Sequence, residues 1–135
     1  MESKVKLLIQ KLKEMPDFNS VKFVFLFGSY VNKNQNKLSD IDFAIYYDGI
    51  KEKRFKFRLK LLSKLPEGFD VQIFQDLPLK LRMSVLKGKF VYYKDIDFVY
   101  EIAYQTIKNF EDFKSYYYDY LESRRTKYVW KKQYW

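Results

Sequence analysis

At 135 residues the chain has the size of one ordinary domain, and a 47% hydrophobic content suffices for a core. It contains no cysteine and no histidine, which excludes disulfides, thiolate zinc sites, cysteine nucleophiles and every histidine-based triad; any catalysis must run on carboxylates, hydroxyls and metals. A formal charge of +9 suits an anionic partner, whether nucleotide, RNA or an acidic protein face, while the lack of a bilayer-length apolar run or a secretory start predicts a soluble, cytoplasmic protein with no membrane partner.

In chain order, Val5, Leu8, Ile9, Leu12 and Met15 recur at helical spacing and predict an amphipathic helix over 4–15, closed by Pro16 and Asp17. Val21 to Phe27, β-branched and aromatic, predicts the first strand. Gly28 breaks it at a point where the backbone can turn and approach a ligand closely. Ser29 adds a hydroxyl and, if a turn or helix opens behind it, backbone N–H groups for an anionic triphosphate, so residues 28–39 read as a phosphate loop. The second strand is predicted over 40–47, where alternation sends Asp40 and Asp42 to the same side. Two carboxylates in one small space call for a neutralising cation, and hard oxygen ligands beside a phosphate favour Mg²⁺.

Asp48-Gly49 marks a turn, followed by a helix over 51–65 that carries Phe55, Leu59 and Leu62 on one stripe and stops before Pro66. Its Lys53, Arg54, Lys56, Arg58 and Lys60 read as a solvated face whose field attracts triphosphate. A third strand over 70–74 carries Asp70 near its start. Facing the same pocket, it would make three carboxylates, enough to hold two divalent ions, one orienting a triphosphate and one activating an acceptor hydroxyl for in-line attack. Asp76-Leu77-Pro78 opens a short helix that Gly88 stops, and Phe90 to Tyr93 reads as a small strand. From Asp97, the spacing of Val99, Ile102, Ala103, Thr106, Ile107 and Phe110 predicts a long helix, and a second helical segment runs from Asp112 to about Tyr128. The rings of that segment, Phe113, Tyr116, Tyr117, Tyr118 and Tyr120, suit packing on the domain or a partner surface. The tail from Tyr128 to Trp135 interleaves rings with positive charge, which serves docking to a second chain or stacking on single-stranded nucleic acid.

Gly28-Ser29, ten residues, then Asp40-Ile41-Asp42 and a later strand-borne Asp70 together resemble the DNA polymerase β-like nucleotidyltransferase superfamily. Within it the short chain is similar to the minimal nucleotidyltransferases, many of which are encoded beside a HEPN-domain protein as toxin–antitoxin pairs. The resemblance implies an α+β fold with a mixed α/β sheet, a nucleotidyltransferase domain over 1–95 and a carboxy-terminal helical extension over 96–135, packing on it or on a partner. It implies that Gly28 and Ser29 bind the triphosphate, that Asp40 and Asp42 ligate Mg²⁺, and that Asp70 completes a site for one or two ions and helps activate the nucleophile. ATP is then the donor and AMP the transferred group; in the HEPN-paired subgroup the acceptor is a tyrosine of the toxin, so this chain would be the antitoxin of a hetero-oligomer. The chain departs from the family after Ser29, with Tyr30-Val31-Asn32-Lys33 where a small residue, an Arg and a Gly are frequent; Lys33 or Lys37 would substitute only in part for the missing Arg. Two further readings remain open: a non-catalytic antitoxin that blocks its partner by binding, and a nucleotidyltransferase acting on a small molecule or an RNA end.

Overall fold

The first two strands, β1 (Val21–Phe27) and β2 (Ile41–Tyr47), pair antiparallel, with Phe27 opposite Asp42 and Leu26 opposite Phe43. This computed structural model describes residues 2–28 and 40–132, with side chains described through residue 123. β3 (Phe69–Ile73) lies parallel to β2, and β4 (Lys89–Tyr93) lies antiparallel to β1, giving a four-stranded mixed sheet in the order β3-β2-β1-β4. A parallel pair needs a long crossover. Helix α2 (Lys51–Ser63) supplies it between β2 and β3.

Both faces of the sheet are covered, which explains why β1 reads as an almost unbroken apolar run instead of an alternating one. On one face, α1 (Glu2–Lys13) and α2 place Leu8, Leu12, Phe57 and Leu61 against Val24, Leu26, Phe43, Ile45 and Val71. On the other face, α3 (Leu79–Leu86) and the start of α4 (Ile96–Lys132) place Val85 and Val99 against Phe23, Phe25, Ala44 and Phe74. Met15, two residues past the end of α1, is still buried.

The sequence predicted two carboxy-terminal helical segments, and the structure has a single 37-residue helix. No Gly or Pro interrupts residues 96–132, so nothing terminates the backbone hydrogen-bond ladder at Asp112. At about 1.5 Å per residue the helix is about 55 Å long. Its first turns join the core through Val99, Ile102 and the buried Thr106, whose hydroxyl donates to the Ile102 carbonyl at 2.7 Å. Further along, Phe113 is 56% and Tyr116 is 73% exposed.

Three side-chain clamps tie together the elements around the sheet. Arg54 of α2 donates through Nε and Nη2 to the two oxygens of Asp76 at 3.1 and 2.6 Å, and through Nη1 to the Gly49 carbonyl at 2.8 Å. Arg58 donates to the Val71 carbonyl of β3 at 2.5 Å. Gln75 continues the ladder of β2 by accepting from the Tyr47 N–H at 3.3 Å and donating to its carbonyl at 2.5 Å. Two of the five cations that the sequence assigned to a solvated face of α2 are therefore structural.

Candidate active site

Three chain segments meet at one end of the sheet: the end of β1 and the starts of β2 and β3. Gly28 follows β1 with a φ of +84°, a backbone state that side-chain-bearing residues rarely adopt. A Cβ added there would lie 2.3 Å from Oδ2 of Asp42, so the bend is wrapped directly over that carboxylate. Gly68, with a φ of +95°, turns the chain into β3, and its carbonyl accepts from the Ile41 N–H at 2.9 Å. That bond sets the parallel register in which Asp42 and Asp70 are direct partners, as are Ala44 and Gln72. Paired residues share a face, so the two carboxylates stand side by side on the same face as Ala44.

Burial and crowding together change the electrostatics of the pair. The Asp42 carboxyl is raised from 3.8 to about 6, first by its burial, then by the negative charge of Asp70, by the proton the two carboxyls can share, and last by the charge of Asp40. Asp70 is held from its other side by Gln72, whose Nε2 donates to Oδ1 at 3.2 Å and Oδ2 at 3.4 Å. Asp40 sits one residue before β2 and is exposed, so it reaches Asp42 only through its field.

The donor set consists of carboxylate oxygens, with no nitrogen or sulfur ligand, which is the chemistry of a hard divalent cation. Such a cation would relieve the repulsion that raises Asp42. Among the described residues, no three acidic side chains converge into a closed ligand cage. The structure thus brings Asp42 and Asp70 together under Gly28 and leaves Asp40 at the rim. Ser29, Lys33 and Lys37 lie outside the described residues, as do the side chains of the tail from Tyr128 to Trp135.

Gln72 was not anticipated from the sequence. The available signal was its position two residues after Asp70, which puts both side chains on one face of an otherwise apolar strand. Two concave sites lie away from the carboxylates: a recess of about 360 Å³ lined by Lys22, Tyr46, Asp48, Lys94, Asp95 and Phe98, and one of about 400 Å³ whose wall includes Lys53, Lys56 and Lys60. Both involve residues at or beyond the far end of β2, so the lysines of α2 offer long-range field and not direct contact at Asp42. No described helix is long and apolar enough to cross a membrane.

Known proteins resemble this chain at the level of family and fold. The family described as "Polymerase beta, Nucleotidyltransferase" matches residues 8–97. A Methanocaldococcus jannaschii protein that bears a provisional protein adenylyltransferase name is 33% identical over 72 residues, a stretch covering 53% of this chain and 55% of that protein. The chain therefore spans about half the length of that relative. Among solved structures, a toxin–antitoxin complex with AMP-PNP contains a chain of similar fold, with a TM-score of 0.58 and 24% identity over 95% of this chain and 94% of the other. A chain from the complex of a tri-AMPylated Shewanella oneidensis HEPN toxin with its MNT antitoxin gives a TM-score of 0.58 and 21% identity, again over 95% and 94% of the two chains.

Proposed function

This chain belongs to the polymerase beta nucleotidyltransferase family, and we propose from that premise that it moves AMP from ATP onto a hydroxyl and releases pyrophosphate. The observation that carries the reading is the register pair of Asp42 and Asp70 beneath the positive-φ bend of Gly28. In the reaction, the acceptor oxygen forms a bond to the α-phosphorus, the bond to the bridging oxygen breaks, and pyrophosphate leaves with that electron pair. Asp70 takes the acceptor proton, and Gly28 with Ser29 accommodates the triphosphate. Asp40, Asp42 and Asp70 would hold one or two Mg²⁺ ions, which when bound neutralise charge on the triphosphate and the carboxylates.

We assign the acceptor to a tyrosine of a HEPN-domain toxin and the chain to the antitoxin role, in a cytoplasmic hetero-oligomer. Support comes from the fold-level likeness to chains of toxin–antitoxin complexes and from the rings exposed along α4, which suit a protein partner. The test is to incubate the protein with ATP labelled on the α-phosphate, Mg²⁺ and the co-encoded HEPN chain. Label should appear on a tyrosine of that chain and vanish with Asp42→Asn or Asp70→Asn. If these variants neutralise the toxin as well as the wild type does, antitoxin action is occlusion and not AMP transfer.

A further inference from the structure

We propose that Gln72 is a positioning residue for this site: it fixes the Asp70 carboxylate in the orientation from which it binds a cation and takes the acceptor proton. The inference rests on the role given above to Asp70. Only the nitrogen end of an amide can donate, so with a carboxylate at 3.2 and 3.4 Å the side chain of Gln72 must present Nε2 to Asp70. The bond spans both carboxylate oxygens and so restrains rotation of the group while leaving its other lone pairs free. Asp70 needs such a restraint. Its other neighbour is the paired carboxyl of Asp42, whose like charge when ionised repels it.

The surroundings show that packing does not require the amide. The β2 partner of Gln72 is Ala44, which is fully buried and small, and the next side chain on that face is the buried Phe74. An apolar residue of similar size at this position would fill the same space and bury more apolar surface. A purely structural glutamine would be a poor choice for a half-buried site between Ala44 and Phe74. A carboxylate orienter accounts for the polar group. Groups that hydrogen-bond metal-binding carboxylates typically influence affinity or turnover by about 10–100-fold when removed.

The test compares wild type, Gln72→Leu, Asp70→Asn and the double variant by two independent readouts. Mn²⁺ binding to the nucleotide-free protein, followed by electron paramagnetic resonance, should weaken about tenfold in Gln72→Leu, while Gln72→Leu should add nothing in the Asp70→Asn background. AMP transfer should show kcat lowered at least about tenfold with the KM for ATP within about twofold, and an unchanged or higher thermal midpoint. Equal Mn²⁺ affinity in wild type and Gln72→Leu overturns the inference, as does a loss that persists additively without Asp70 or that follows a fallen thermal midpoint. If the wild type transfers no AMP to any hydroxyl, the proposed function fails, and the Mn²⁺ affinities still decide the role of Gln72.

Discussion

Asp70→Asn should make the folded protein more stable while removing its chemistry. The reasoning starts from Asp42, whose carboxyl rises from 3.8 to about 6 on folding. Taken whole, that displacement corresponds to about 3 kcal/mol of penalty on the ionised native state. Burial is the largest cause, and Asp70 acts through the second and third, so removing its charge recovers only part of the total. Both carboxyls are also partly exposed, and solvent screening reduces the share further, to about 1 kcal/mol. For a chain of this length, 1 kcal/mol is about 3–4 °C in thermal midpoint. The sign follows from proton binding: the native state holds the Asp42 proton more tightly than the unfolded chain, so this contribution to stability is fully present below about 3.8 and is lost as pH rises through about 6. The gain from Asp70→Asn should therefore be full at pH 8 and should shrink toward nothing near pH 4. Thermal denaturation in a chelating buffer at several pH values measures it. A destabilised variant at pH 8, or a gain that is the same at both extremes, would refute the account.

Four further outcomes are expected. Gly28→Ala should lose AMP transfer by at least about 100-fold and cost about 1–2 kcal/mol of stability, because its Cβ would fall 2.3 Å from the Asp42 carboxylate at a φ of +84°; paired activity and melting assays check this. Gln75→Ala should cost about 1–2 kcal/mol in denaturant titration by leaving the Tyr47 N–H and carbonyl without partners, with AMP transfer per folded molecule unchanged. Millimolar Mg²⁺ should raise the thermal midpoint of wild type, and Asp42→Asn should abolish the rise, since a ligand that binds only the folded state stabilises it. Replacing both Phe113 and Tyr116 by Ser should leave the thermal midpoint within about 1 °C, as both rings are already exposed, yet weaken binding of the proposed HEPN partner at least about tenfold in a calorimetric titration.

Local chemistry was enough to reveal much of this protein from its residues. The apolar run of Val21 to Phe27 ending at a glycine, the alternation after Asp40, and the helical spacing of Leu8 and Leu12 each obey a period of two or 3.6, and these elements stand within a few residues of where they were expected. The Gly-Ser and Asp-Ile-Asp spacing with a later Asp70 pointed to the nucleotidyltransferase fold for the same reason: the motif is short-range and each piece lies on a recognisable strand.

What the tertiary structure alone decided is set by contacts between residues far apart in sequence. Periodicity marked the crossover helix α2 itself, but parallel pairing of β2 with β3, with Asp42 beside Asp70, also depends on a single bond from Ile41 to Gly68 that has no periodic trace. Arg54 and Arg58 looked like any other surface cations until Asp76 and the Val71 carbonyl came within reach. Gln72 became legible only once Ala44, opposite it, left room and the paired carboxylates created a need for a donor. Periodicity groups side chains by face, but on α2 it put Phe55 and Leu59 on the apolar stripe while the folded chain exposes both and buries Phe57 and Leu61, so only the folded chain determines which face is covered and which charge or dipole a side chain meets there.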